Sequence, residues 1–154
     1  MWLSKVLDIV GAITYIFLLF LGIKLGFKNS FRIFLFILFI TLTNTIIYRI
    51  FKMFIVREYL EIIDVGVVTI SSVISFFIFH PIIDRIYHRI NDIDLPIVSK
   101  MIGFLIFVIN GVFIIGYFVI FSDLYPQLYY FLETSSFLRI MSNIVKFALG
   151  IIVI

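Results

Sequence analysis

Apolar residues fill four long runs of the chain, and each run is separated from the next by a short segment that carries charge. The runs cover residues 6–25, 31–48, 65–83 and 101–121. A helix needs about 20 predominantly apolar residues to cross the hydrocarbon core of a bilayer. The pattern therefore predicts four transmembrane helices in one membrane domain that covers residues 1–154.

Small and polar residues recur along one side of each predicted helix. On the third run Asp64, Ser71 and Ser75 align, and on the fourth run Gly103 and Asn110 do. Lipid tails offer no hydrogen bonds, so polar faces turn toward other helices and the Phe, Ile and Leu faces turn toward lipid. We therefore expect an all-α integral membrane protein, a compact bundle whose polar interior includes Asp64, Ser71, Ser75 and Asn110.

Two further segments are predicted to be helical without crossing the membrane. In residues 82–95, isoleucines recur at helical spacing with charged residues opposite, which predicts an interfacial amphipathic helix before the fourth span. Residues 137–154 are apolar but interrupted by Arg139, Ser142, Asn143 and Lys146. That interruption favours a C-terminal surface or re-entrant helix over a fifth crossing.

The composition agrees with a membrane location and excludes several functions. Hydrophobic residues make up 64% of the 154 positions and charged residues 14%, against about 45–50% and 25% in ordinary soluble domains. The chain has no cysteine, which rules out disulfides and thiolate metal sites. Its net charge of +3 comes from basic residues dispersed between apolar runs, so we expect a lipid bilayer as partner and no nucleic acid.

The stretch "LGIKLGFKNSF" between the first two runs holds two glycines four residues apart, Gly22 and Gly26. This spacing permits close helix approach, either within one chain or between copies of it, so a homo-oligomer stays open. No acidic residue lies among the neighbouring Lys24, Lys28 and Arg32. With Arg85 and Arg89 of the later loop, they are predicted to form a basic collar on the cytoplasmic side.

The charge rule for orientation rests on this first loop. Counted over all loops and both termini, the twelve basic residues divide six against six between the two topologies. The rule is most reliable for short loops, and the first loop is the tightest. We therefore expect a multi-pass protein with both termini outside the cytoplasm.

With these motifs placed, the chain resembles the colicin V production (CvpA) family of small bacterial inner-membrane proteins. The resemblance rests on Asp8, followed by the turn with Gly22, Gly26, Phe27 and Lys28, on Arg85 and Arg89, and on "SKMIGFLIFVING" with Lys100, Gly103 and Gly111. Ser135 or Ser136 resembles a serine that the family carries after its last span. The resemblance implies a non-enzymatic four-span protein of the cytoplasmic (inner) membrane. It would support colicin V production or export, or a wider envelope function, through unidentified membrane or envelope proteins.

A different class of function remains open from the residues alone. Asp8, Asp64 and Asn110 could line a pathway in a small oligomeric transporter or channel subunit, because ionisable groups in membrane segments are often functional. The alternative is that the two carboxylates are solvated at the interface and that Asn110 bonds another helix. His80, Asp84 and His88 fall at four-residue steps, but Pro81 interrupts them and no fourth ligand is apparent, so we expect no metal. No catalytic motif is present, and we expect neither a catalytic residue nor a cofactor.

Overall fold

The computed structural model describes residues 2–54, 60–91, 93–122 and 126–149. Within those ranges the structure does not describe the side chains of residues 48, 51–54, 60–65 and 126. The polar side chain expected at Asp64 therefore lies outside the described part. The described residues form five helices and no strand: α1 (Trp2–Phe54), α2 (Leu60–Arg89), α3 (Pro96–Phe121), α4 (Pro126–Glu133) and α5 (Ser136–Leu149).

Helix α1 folds back on itself at Gly26, which has a non-helical backbone with φ 69° and ψ −171°. The hydroxyl of Ser30 donates to the carbonyl of Gly22 at 3.4 Å, although the two residues are eight positions apart. In a continuous helix eight residues span about 12 Å. The residues before Gly26 (the first arm, 2–25) and after it (the second arm, 27–54) are therefore two separate helical segments.

Helix α3 packs against both arms, and the direction of contact differs between them. Successive contacts of the first arm run backward along α3, whereas those of the second arm run forward. The contacts are Gly22–Gly103 and Tyr15–Gly111 for the first arm, and Ser30–Asn110 and Thr41–Tyr117 for the second. The two arms are therefore antiparallel to each other.

Helix α2 lies along the second arm through stacked rings and one ion pair. The ring centroids of Phe39 and Phe79 are 4.6 Å apart, and Arg32 pairs with Asp84 at 2.5 Å. The helix continues through Pro81 to its end at Arg89. This corrects the expectation of a separate amphipathic helix over 82–95, because residues 82–89 are the last turns of α2.

The next helix starts where proline chemistry predicts it. Leu95 is extended, with φ −90° and ψ 106°, as expected for a residue that precedes proline. Pro96 then occupies the first turn of α3, where its missing N–H costs no hydrogen bond.

Helix α5 lies across the end of the bundle opposite the Gly26 turn. Its first turn packs on Gly11 of the first arm, and near its last turn the carbonyl of Ala148 accepts a hydrogen bond from Thr45 of the second arm at 3.2 Å. Its 14 residues extend over about 21 Å, less than the roughly 30 Å hydrocarbon core. The short helix α4 was not predicted from the sequence.

Three of the described helical stretches are long and apolar enough to cross a membrane, namely Trp2–Ile47, Gly66–Arg89 and Pro96–Phe121. Their outward faces carry large apolar side chains, including Phe17 (66% exposed), Phe77 (72%) and Leu105 (61%). Monomeric soluble proteins rarely expose contiguous apolar surface on this scale. The fold is therefore all-helical in its described part and compatible with a multi-pass membrane protein.

Candidate functional site

The Gly26 turn is closed by hydrogen bonds from nearby and distant side chains. The backbone N–H of Phe27 donates to the Ser99 hydroxyl of α3 at 3.0 Å. The Asn29 amide donates to the Leu25 carbonyl at 3.2 Å, and Ser30 bonds the Gly22 carbonyl. Unpaired backbone groups are costly in hydrocarbon. The Phe27 N–H and the carbonyls of Gly22 and Leu25 are therefore bonded inside the protein.

Glycines make the contact between the first arm and α3. A Cβ added to Gly103 would lie 2.5 Å from the Gly22 carbonyl oxygen, and one added to Gly22 would lie 2.7 Å from the Gly103 oxygen. One added to Gly111 would lie 2.7 Å from the Tyr15 ring. The glycine spacing left open a helix contact within one chain or between two copies. In the structure, Gly22 and Gly103 make a contact within one chain.

Two further glycines, not among the predicted site residues, receive α5. A Cβ on Gly11 would lie 2.8 Å from the Phe137 ring, and one on Gly116 would lie 2.7 Å from the Met141 carbonyl oxygen. Gly116 also contacts the Val145 side chain directly. Gly11 lies on the same side of the first predicted helix as Gly22 and Gly26, a small face expected to turn toward other helices, while Gly116 stands inside the fourth predicted span, which is the signal that could have identified it as a packing site.

Helix α2 and the second arm share a buried cluster of polar side chains. The Asn44 amide donates to Ser72 at 2.8 Å, and the hydroxyl of Ser71 donates to the Asn44 oxygen. Ser75 is also buried, and its hydroxyl donates to the Ser71 carbonyl of its own helix at 2.6 Å. Of the expected polar interior, Ser71 therefore makes the contact between helices, while Asn44 is the residue that the site prediction lacked.

Asn110 stands apart from that cluster. It is fully buried, and its amide donates to the Ser30 carbonyl at 3.2 Å, which links α3 to the second arm just beyond the turn. Its carbonyl oxygen has no hydrogen-bond partner in the described part of the chain. Buried polar atoms usually have a hydrogen-bond partner, so this oxygen is an exception among the described residues. It can still accept a hydrogen bond.

Asp8 holds the start of α5. Its carboxylate accepts a hydrogen bond from the Ser135 hydroxyl at 2.7 Å and another from the Phe137 N–H at 2.9 Å. The Ser135 oxygen in turn accepts from the Leu138 N–H at 3.2 Å. The first N–H groups of a helix lack partners within the helix. In α5, the Phe137 N–H donates to Asp8 and the Leu138 N–H donates to Ser135 instead.

A second polar cluster, missed from the sequence, joins α4 to α5. The hydroxyl of Tyr129 donates to Glu133 at 2.5 Å, and the Lys146 ammonium lies 3.6 Å from the same carboxylate oxygen. Lys146 also lies 5.1 Å from the centre of the Tyr129 ring. In the sequence, Lys146 is only a charge that interrupts an apolar segment. In the structure it contacts both Glu133 and Tyr129.

The basic collar gathers at the Gly26 end of the bundle, but one acidic residue joins it. Asp84 of α2 pairs with Arg32 at 2.5 Å and lies 3.3 Å from the His80 ring nitrogen. The sequence placed no acid among the basic residues of the first turn, and Asp84 reaches Arg32 only through the packing of α2. The four other residues of the predicted collar have no ion pair with described residues: Lys24, Lys28, Arg85 and Arg89.

Two further predictions concern Phe27 and the candidate metal ligands. The Phe27 ring stacks on Phe31 with centroids 5.7 Å apart. His80 and Asp84 are paired, but among the described residues no group of three His, Cys, Asp or Glu side chains could hold a metal ion.

The geometry thus brings together Asp8 with Ser135, Gly22 with Gly103, and Gly26 and Phe27 with Ser99. Comparisons of the chain with protein-family models, with curated proteins and with solved structures found no match.

Proposed function

We propose that this chain is a non-enzymatic four-crossing protein of the bacterial inner membrane, related in role to the colicin V production (CvpA) family. In that role it supports the production or export of a secreted toxin, or the upkeep of the envelope, through protein partners in the membrane or envelope. The observation that carries the proposal is the hydrogen bond between Asp8 and Ser135, which are 127 positions apart. The resemblance singled out Asp8 near the start of the first span and, separately, Ser135 or Ser136 after the last span.

Four crossings follow if each arm of α1 spans the bilayer by itself. The first arm extends over about 36 Å at 1.5 Å per residue, which exceeds the roughly 30 Å hydrocarbon core. The arms are antiparallel, and their turn is bonded internally. These features support a helical hairpin that enters and leaves the membrane.

The internal bonding of the polar groups favours a partner-binding role over a transport pathway. Asn44, Ser71 and Ser72 bond one another between α2 and the second arm. Thr41 and Tyr117 likewise bond each other at 3.1 Å. A pathway needs polar groups that face a water-filled space, whereas these face each other.

The experiment is complementation of a deletion strain of the source bacterium. Asp8→Ala removes the carboxylate that holds α5, so we expect loss of toxin export or of envelope integrity at a normal level of the protein in the membrane. Asp94→Ala is the matched control, because Asp94 is exposed and removing it changes the net charge equally. We expect this control to complement the deletion fully.

Three results would contradict the proposal. A deletion strain without an export or envelope defect would remove the proposed role. Full complementation by Asp8→Ala would remove the part assigned to the Asp8–Ser135 contact. Ion flux through the purified protein in liposomes, abolished by Asn110→Ala, would favour the transporter instead.

A further inference from the structure

The surface where the second arm meets α2, at the Gly26 end, combines charge with aromatic rings. We call it the collar surface and define it by six residues: Lys28, Arg32 and Phe36 of the second arm, and Phe76, Asp84 and Tyr87 of α2. The three second-arm residues stand four positions apart and so share one face of the helix. All six side chains are partly or largely exposed.

The positive charge of the collar surface is only partly neutralised. Lys28 and Arg32 both lie over the Tyr87 ring, at 4.7 and 5.0 Å from its centre. Asp84 pairs with Arg32, while Lys28 has no carboxylate partner among the described residues. One net positive charge therefore remains among Lys28, Arg32 and Asp84.

An apolar wall continues from these charges along the helices. The Phe36 and Phe76 rings stack with centroids 5.2 Å apart, and Phe76 is 42% exposed. Phe77, beside it, is 72% exposed. A ligand that fits this surface is therefore anionic at one end and apolar along its length.

We propose that the collar surface binds one anionic phospholipid. Its phosphate lies between the Lys28 ammonium and the Arg32 guanidinium, and one acyl chain lies along Phe36 and Phe76. Basic pockets between transmembrane helices on the cytoplasmic side bind anionic lipid headgroups. This inference needs a membrane location but does not depend on the proposed role in export.

The chemistry favours a lipid over the other anions that could bind here. A free phosphate would use the two cations and leave the Phe36–Phe76 wall exposed. An acidic peptide would need donors for its backbone, and the aromatic wall offers none. A phospholipid contacts both the cations and the aromatic wall of the collar surface at once.

The experiment measures lipid binding to the purified full chain by native mass spectrometry from a mild detergent. The probes are phosphatidylglycerol and phosphatidylcholine with identical acyl chains. We expect phosphatidylglycerol to bind at least about tenfold more tightly, and Lys28→Gln to weaken it about fivefold. Phe76→Ala should weaken both lipids, because both carry the acyl chains that contact this ring.

Two controls separate a site from general charge attraction. Lys100→Gln removes the same charge from an exposed position at the same end of the bundle and should leave phosphatidylglycerol binding unchanged. Lys28→Arg keeps the charge and should retain it. Lys28→Gln breaks no ion pair between described residues, and an unchanged circular dichroism spectrum would confirm that it folds.

Several outcomes would overturn the inference. Equal binding of the two lipids would mean that no phosphate is recognised. Equal losses from Lys28→Gln and Lys100→Gln would mean a diffuse basic surface. Displacement of the lipid by millimolar inorganic phosphate would identify a simple anion site, and displacement by a soluble acidic peptide would identify a protein-docking surface.

Discussion

The first arm and α3 approach closely because neither carries a side chain at Gly22 or Gly103. Each glycine faces the backbone of the other helix, and Gly103 also faces the backbone of Gly26 at 2.8 Å from its added Cβ. Backbone atoms cannot move aside as the end of a flexible side chain can. At the scale of single residues, these two glycines therefore set the distance between the first arm and α3.

Gly103→Ala is expected to lower the free energy of unfolding by about 1–3 kcal/mol, the usual cost of overpacking. Gly66→Ala is the matched control, since no atom lies within 4 Å of the added Cβ. Because alanine favours helices, the control should be neutral or about 0.5–1 kcal/mol more stable. Unfolding of the purified variants in mixed micelles measures both values. Equal stability of the two variants would contradict the glycine contact.

Helix α5 has three faces rather than the two of a simple amphipathic helix. Leu138, Met141 and Val145 pack on the bundle, while three apolar residues lie exposed on one flank: Ile140, Ile144 and Phe147. The exposed Arg139 and Asn143 occupy the other flank. At the scale of the element, α5 therefore suits the membrane boundary, with one flank toward lipid and the other toward water.

Ser135→Ala is expected to loosen the first turn of α5, because Asp8 loses a donor and the Leu138 N–H loses its acceptor. Hydrogen–deuterium exchange should become faster at the start of α5 and stay unchanged in α3. Thr134→Ala is the matched control, since the Thr134 hydroxyl bonds only the nearby Phe131 carbonyl. Equal exchange in the two variants would show that the contact with Asp8 does not hold α5.

The sequence predicted the helices well where composition alone determines them. The apolar runs 31–48 and 101–121 both lie inside longer helices, because hydrophobic length is a local property. The prediction of a separate helix over 82–95 was wrong, since the turns of α2 beyond Pro81 continue to Arg89 and are held by tertiary contacts such as Arg32–Asp84. Ser99 was missed because its bond with Phe27 joins residues 72 positions apart. Ser30 was missed because its bond to Gly22 requires the chain to fold back at Gly26.

The orientation of the whole molecule rests on the Gly26 turn, because unpaired basic side chains occur at both ends. At the Gly26 end five have no ion pair with described residues: Lys24, Lys28, Arg85, Arg89 and Lys100. At the opposite end Lys146 is paired with Glu133, but Lys5, Arg49 and Arg139 have no ion pair with described residues either. The excess of lysine and arginine on the cytoplasmic side is most reliable for short loops, and the turn at Gly26 is the tightest connection between long helical segments. We therefore expect the Gly26 end to face the cytoplasm.

Single cysteines in this naturally cysteine-free chain test the orientation and the number of crossings together. With four crossings, Lys24→Cys and Lys100→Cys react with an impermeant maleimide only in inverted vesicles, and Lys5→Cys and Arg139→Cys react only in spheroplasts. All four positions are exposed, so accessibility depends on the side of the membrane alone. If α1 crossed once as a single helix, position 100 would share a side with position 5, and position 139 would lie opposite. Labelling in that second pattern would refute the hairpin at Gly26, whereas the first pattern with the two sides exchanged would refute only the orientation.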